Sequence, residues 1–309
     1  MATASTLASA SSLAQHCRDI AVRARRAAID LAGVAGERKK ACLRAAAAQI
    51  RADAAEILSA NKLDVANSPS FGLTAAEIDR LTLDPKRIEG IAAGVEAVAS
   101  LPDPVGEVLE HTARPNGLDI RKVRVPLGVV FFIYESRPNV TADAAAVSLA
   151  AGNAIILRGG KEAAHSSAQI AVSLRKAIHS SGLPVDCVQL VDTPDRDAVG
   201  AFLAMDDLID IVIPRGGESL IRRVCSEARM PVLKHFSGNC HVYVDRTADL
   251  AMAEAIVINA KCQRMGVCNA AESLLVHREV AAMFLPTIAL TLGQHHVEIV
   301  GDAATRLLV

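Results

Sequence analysis

The stretches Ala154-Ile-Ile-Leu-Arg-Gly-Gly-Lys-Glu-Ala163 and Asp210-Ile-Val-Ile-Pro-Arg-Gly-Gly-Glu-Ser219 decide the fold of this 309-residue chain. In each, a short apolar run ends in Arg-Gly-Gly and gives way to residues with helical spacing. The pattern is a strand, a glycine turn and a helix N-terminus, used twice. The first N–H groups of a helix lack intrahelical partners and carry the positive end of its dipole. Glycines let an anion come close to them, and an adjacent arginine adds a forked donor. A phosphate-bearing cofactor suits such a turn. Single glycine turns are common in α/β proteins, so the weight lies on the repetition of Arg-Gly-Gly.

Outward from these units, strands and helices alternate from Gly128 onward. Strands are predicted near 128–134, 154–157, 185–191, 208–213 and 231–235, with helices near 139–151, 162–180, 195–204 and 217–228. This alternation predicts an α/β fold, a doubly wound parallel sheet of Rossmann-like form over 127–235 with helices on both faces. Residues 1–105 predict a helical N-terminal region of the same domain, with helices over roughly 5–32, 36–61 and 74–99. Its breaks fall near Gly33–Gly36, Ser68-Pro69 and Asp84-Pro85. Between the two blocks, residues 106–126 read as an extended β-hairpin turning at Arg114-Pro-Asn-Gly117, because Asn-Gly favours hairpin turns. Residues 236–309 predict a second α/β block: strand 241–244, helix 248–260, loop 261–268, strand 271–277, helix 279–292 and a strand near 297–300. The sequence stops at Arg306-Leu-Leu-Val309, and this second block is expected to be an incomplete domain.

Composition narrows the function classes. The 33 basic and 34 acidic residues nearly cancel, which gives no general attraction to nucleic acid or to an acidic membrane. Aromatic residues are 3% of the chain and Trp is absent, which argues against base-stacking platforms. No apolar run is long enough to span a bilayer. The seven cysteines include no Cys-x-x-Cys pair, so neither a zinc site nor any other metal is expected, and a reducing cytoplasm fits. Met1 to Ala14 lacks the charged start and apolar core of a secretory signal. Arg18, Arg23, Arg25 and Arg26 are compatible with an organellar transit peptide, but an amphipathic first helix with a basic face is the preferred reading.

The loop Asn259-Ala-Lys-Cys-Gln-Arg-Met-Gly-Val-Cys-Asn-Ala270 is the second informative place. It carries two cysteines with Lys261 and Arg264, and cationic neighbours with free backbone N–H groups are what turn a thiol into a thiolate nucleophile. Cys268, at the loop–strand junction, is the stronger candidate. Cys262 directly follows the predicted helix and is expected to pack beneath the loop. Cys17, Cys42, Cys187 and Cys225 fall on predicted helices or strands and are read as packing residues.

These residues together closely resemble the γ-glutamyl phosphate reductases (glutamate-5-semialdehyde dehydrogenases), a branch of the aldehyde dehydrogenase superfamily. The resemblance runs from about residue 15 to the C-terminus. It rests on Asp103-Pro-Val-Gly106, Val125-Pro-Leu-Gly-Val-Val130, Tyr134-Glu-Ser-Arg-Pro-Asn-Val-Thr141, the Gly152–Ala163 stretch, Ile213-Pro-Arg-Gly-Gly217, Cys240-His-Val-Tyr-Val-Asp245, Asn259-Ala-Lys and Cys268-Asn.

The resemblance implies an aldehyde-dehydrogenase-like fold and NADPH-dependent reduction of γ-glutamyl phosphate to glutamate 5-semialdehyde, the second step of proline biosynthesis. It implies that Cys268 is the catalytic cysteine. It places Arg158, Gly159, Gly160 and Lys161 on the adenosine ribose side of NADP, where two cations suit the 2′-phosphate. Arg215, Gly216 and Gly217 are assigned to the pyrophosphate or nicotinamide side. Aldehyde-oxidising relatives carry a water-activating glutamate; the corresponding stretch Lys234-His-Phe-Ser-Gly-Asn-Cys240 has His235 and no acid, as a reductase needs. Members are also expected to form homo-oligomers, with the 106–126 hairpin in that role, and glutamate kinase is a further expected partner. Members extend beyond the point where this chain stops, so a C-terminally truncated member is expected, with cofactor affinity surviving better than turnover. The alternatives are a non-catalytic NADP-binding fragment and an aldehyde-oxidising dehydrogenase of the same fold.

Overall fold

Val129-Val-Phe-Phe-Ile-Tyr134 is apolar without alternation, and all but Phe132 are fully buried. A run of this kind belongs in the middle of a parallel sheet covered on both faces. The computed structural model describes residues 4–234, 238–265 and 267–309, with side chains from residue 12 onward. It divides into two units, one ending at residue 235 and the other beginning at 236.

The first unit opens with helices α1 (Ala4–Ala32), α2 (Gly36–Ala52), α3 (Ala54–Asn67), α4 (Ala75–Leu81) and α5 (Pro85–Ser100). The antiparallel hairpin β1 (Val108–Ala113) and β2 (Asp119–Val123) follows. The alternating part runs β3 (Val129–Tyr134), α6 (Pro138–Ala150), β4 (Ala154–Arg158), α7 (Ala164–Ser180), β5 (Val188–Leu190), α8 (Asp197–Leu203), β6 (Ile211–Arg215) and α9 (Glu218–Glu227). Strand order is β5-β4-β3-β6, all parallel. The chain starts at β3, works outward to β5, then returns to the far side of β3 as β6. That reversal makes a switch point between β3 and β6, and ligands of such sheets bind beyond the carboxyl ends of the strands there.

Helices cover both faces: α6 and α7 on one side with α2, α3 and α5 behind them, α1 and α8 on the other. The burial of α1 follows its sequence, since Cys17, Ile20, Ala21, Ala24, Ala27, Ala28 and Leu31 repeat at helical spacing and are all buried. Its arginines face the loops around the sheet: Arg18 pairs with Asp207 at 2.9 Å, Arg23 donates to Gln189 at 3.1 Å, and Arg25 pairs with Asp210 at 2.8 Å. The expected amphipathic helix with a basic face is formed.

Several elements depart from the sequence expectation for identifiable reasons. The helix expected over 36–61 breaks at Asp53, whose carboxylate turns away to accept from Ser173 (2.8 Å) and Lys176 (3.0 Å) on α7. Asp84 interrupts the next helix as expected and caps α5 through the Arg87 N–H at 2.6 Å. The strand expected at 231–235 is reduced to one parallel bridge, Val212 to Val232, because Pro231 has no N–H for the ladder; residues 235–237 lie outside the described residues. The 185–191 strand begins only after a 3-10 turn, Val185–Cys187, that follows Pro184. The hairpin turns at Gly117, where Arg114 N–H donates to Leu118 O at 2.8 Å.

The second unit contains parallel strands β7 (Cys240–Val244) and β8 (Ala271–Val276), joined through α10 (Leu250–Cys262) and followed by α11 (Arg278–Gln294). Its core is Val244, Ala253, Val257, Val280, Phe284, Ile288 and Leu292. The strand expected near 297–300 is not formed: Val297 packs onto this core while Val300 stays exposed. Among the described residues, no helix is long and apolar enough to cross a membrane.

Candidate functional site

A cavity of about 560 Å³ opens at the carboxyl ends of β3 and β4, beside the point where the strand order reverses. The loop after β3 contributes Glu135, Ser136 and Arg137; the turn after β4 contributes Arg158, Gly159, Gly160 and Glu162; Arg196, just before α8, and Ser219 and Arg223 on α9 close it. Its floor is Tyr134, whose hydroxyl is held by Thr141 at 2.7 Å and whose titration burial pushes up, so it stays a neutral packing surface.

The glycines are there because neighbours occupy the space of a side chain. A Cβ on Gly159 would stand 3.1 Å from the Tyr134 ring. A Cβ on Gly160 would stand 2.6 Å from the Glu162 carboxylate and 2.7 Å from Ser136 Oγ, which themselves hydrogen-bond at 2.5 Å across the turn. Arg158 lies in this cradle. One guanidinium nitrogen donates to Gly159 O, the other to Pro194 O at 3.0 Å, and the buried Nε has no partner. Burial lowers the Arg158 pKa and Arg196 nearby lowers it further, against Glu162 and Asp195. A buried unsatisfied donor beside a second guanidinium is an arrangement that an anion would relieve.

Of the residues expected to hold the cofactor, Arg158, Gly159 and Gly160 line this cavity. Lys161 does not: its ammonium lies 4.9 Å over the Phe71 ring centroid. Arg215, Gly216 and Gly217 form the adjacent turn, where Gly217 N–H donates to Glu135 Oε1 at 2.6 Å. The helix N-terminus after the first turn is also filled. A 3-10 turn, Lys161–Ala163, separates it from the glycines, and Asp64 accepts the N–H groups of His165 (3.1 Å) and Ser166 (2.8 Å). The first turn therefore offers its arginine and its bare glycine surface rather than a free helix end.

Arg196, Glu162 and the Glu135-Ser-Arg137 loop were not assigned a site role from sequence. The last belongs to the Tyr134–Thr141 string, which follows the central strand, and that position was the available signal. Arg196 carries none, because only the pairing of β5 with β4 brings the loop after β5 beside Arg158.

In the second unit, Cys268 is exposed in the loop between α10 and β8, and Cys262 is the last residue of α10, packed on the local core. Burial pushes the thiols of Cys17 and Cys187 up to about 11 and about 12, and raises Cys42 as well. Those three are inert packing groups at neutral pH. His235 lies outside the described residues.

A doubly wound sheet with a glycine cradle beside its switch point, in a chain with an exposed loop cysteine, is the plan of a nucleotide-dependent dehydrogenase. The chain belongs to the aldehyde dehydrogenase family, whose sequence profile matches residues 2–306. The similar proteins within it include γ-glutamyl phosphate reductases. The chain is 59% identical over 288 residues to that of Rhodopirellula baltica and 55% identical over 290 residues to that of Rhizorhabdus wittichii, covering 93% and 94% of this chain. It spans about two thirds of those relatives, 66% and 67% of their lengths. The crystal structure of the γ-glutamyl phosphate reductase of Thermotoga maritima superimposes with a TM-score of 0.89 at 40% identity, covering 94% of this chain and 70% of that one. An engineered glycolyl-CoA reductase with bound NADP+ shares the fold, with a TM-score of 0.64 at 16% identity over 93% of this chain and 61% of that one.

Proposed function

We propose that this chain carries the nucleotide-binding domain and the nucleophile of an NADPH-dependent γ-glutamyl phosphate reductase, which acts in proline biosynthesis in the cytoplasm. The observation that carries the cofactor assignment is Arg158 in its glycine cradle: a buried Nε without a partner, beside Arg196. The residues fit the adenosine end of NADP, with Arg158 and Arg196 toward the 2′-phosphate and the Gly159-Gly160 turn beside the ribose. Arg215, Gly216 and Gly217 take the pyrophosphate side. NADPH, when bound, supplies the hydride.

The Cys268 thiolate attacks the acyl phosphate carbonyl, the Cys268 N–H holds the oxyanion of the tetrahedral intermediate, and its collapse releases phosphate and leaves a thioester on sulfur. The stretch 234–240 holds no carboxylic acid of the kind that activates water against such a thioester. Residues 1–105 and 127–235 form the cofactor domain and 236–309 belong to the catalytic domain. Residues 106–126 serve self-association, since Val108, Leu109, Leu118, Ile120 and Val123 on the hairpin are all exposed. Glutamate kinase is the proposed source of the labile acyl phosphate.

The test is phosphate-dependent reduction of NADP by glutamate 5-semialdehyde, the reverse reaction, read together with NADPH binding. Semialdehyde oxidation that needs no phosphate would replace this reading with that of a hydrolytic aldehyde dehydrogenase.

A further inference from the structure

The pairing of β7 with β8 does more than build the second unit. It starts at Cys240 opposite Ala271, so the residues just before β8, Cys268 among them, are carried alongside Cys240. The Cys240 thiol donates to the Cys268 carbonyl oxygen at 3.5 Å. Gly238 crosses at the same point, so closely that a Cβ there would overlap that oxygen and lie 3.8 Å from Cys240 Sγ. A carbonyl oxygen is about 2.4 Å from its own Cα, so Cys240 Sγ is held within about 6 Å of the Cys268 Cα. In a disulfide each sulfur lies roughly 3–4.5 Å from the partner's Cα, as the S–S bond length and ordinary bond angles require, so rotation of the Cys240 side chain with a shift of about 2 Å in the exposed Cys268-Asn269 segment would close the bond.

We propose that Cys240 and Cys268 form a dithiol site that takes a hydroperoxide as its substrate, with Cys268 as the oxidised sulfur and Cys240 as the resolving thiol. The Cys268 thiolate attacks one peroxide oxygen, the O–O bond breaks, and the second oxygen leaves as water or an alcohol after taking a proton. Cys268 is then a sulfenic acid. The Cys240 sulfur attacks the Cys268 sulfur, the S–O bond breaks, and the hydroxide leaves as water with the Cys240 proton. Two thiols are oxidised and one peroxide is reduced, and a dithiol reductant restores the pair.

Of the remaining five cysteines, Cys17, Cys42 and Cys187 are buried, Cys225 is half-buried on α9 of the first unit, and Cys262 packs on the core of the second. The disulfide holds Cys268 in a reversible state and keeps it from irreversible oxidation. Its effect on turnover rests on the catalytic reading of Cys268; the bond itself does not.

Peptide mapping tests it on the whole chain, treated with hydrogen peroxide and then alkylated. The expected product is a Cys240–Cys268 cross-linked peptide, formed equally in Cys262→Ser. In Cys240→Ser, dimedone should trap Cys268 as its sulfenic acid roughly tenfold more than in the unsubstituted chain. A Cys262–Cys268 link, no internal link, or equal dimedone capture in the two proteins overturns the proposal. A cross-linked protein whose reductase turnover is unchanged leaves the dithiol standing and removes the catalytic role of Cys268.

Discussion

Glu135 caps helix α9: its carboxylate oxygen accepts the Gly217 N–H at 2.6 Å, and a Cβ on Gly216 would stand 3.0 Å from the same atom. The carboxylate thus holds the helix N-terminus at the second Arg-Gly-Gly turn, the place proposed for the cofactor's pyrophosphate. An incoming pyrophosphate must share or displace it, and two anions cannot occupy one helix end without cost. Glu135→Gln keeps an acceptor and removes the charge. NADPH affinity should rise severalfold, in line with the roughly 0.3–1 kcal/mol that a charge contributes at an exposed helix terminus. Titration calorimetry decides it; weaker binding by the variant would make Glu135 part of the cofactor site instead.

The two cations that read the 2′-phosphate are expected to be Arg158 and Arg196. Arg158→Gln and Arg196→Gln should each weaken NADPH by about 1–3 kcal/mol while changing NADH far less. Lys161→Gln should do little, because its ammonium is engaged over Phe71. Equal losses for NADPH and NADH in the arginine variants would show that they contact some other part of the ligand.

Cys268→Ala should abolish reductase turnover and leave NADPH affinity nearly unchanged, since the cysteine and the Arg158 cradle belong to different units. Cys262→Ala should be mild. Steady-state rates with bound-cofactor fluorescence separate the two effects, and loss of turnover in both variants would undo the assignment of roles.

Acid should destabilise the first unit through Asp53 and Asp103. Burial alone would raise both pKa values. For Asp53 the hydrogen bonds from Ser173, Lys176 and Gln49 outweigh it; for Asp103 those from the Val105 N–H and Lys39 do, so both lie below the ordinary carboxylate value. A depressed folded pKa gives stability that is complete above the unfolded value, about 3.9, and is lost as pH falls through the folded one. Melting temperatures should therefore drop below about pH 4, and Asp53→Asn should flatten that drop. Lys39, only 2% exposed and 3.0 Å from Asp103, anchors the approach to the hairpin. Lys39→Met should cost about 3 kcal/mol, as removal of one partner from a buried pair does. A denaturant midpoint unchanged from the parent would mean that Asp103 finds another partner or water.

The sequence alone determined the order of elements and the class of the sheet. Uninterrupted apolar runs such as 129–134 and 154–157 have one stable destination, a strand covered on both faces, and Pro, Gly and Asp punctuate the helices through local chemistry that needs no distant partner. Asp84 capping α5 and Gly117 turning the hairpin were legible for that reason. The Arg158 cradle was legible too, since glycine and arginine stand in one local turn. What only the tertiary structure decided involves partners far apart in the chain. Asp53 breaks a helix to reach α7, and Asp64 rather than a ligand fills the α7 N-terminus. Lys161 turns to Phe71, Arg196 joins Arg158, Glu135 lies on Gly217, and Cys240 meets Cys268 across β7 and β8. Hydrogen bonds and charges act over a few ångströms of space, and residues tens of positions apart come within that range only after the sheet has assembled.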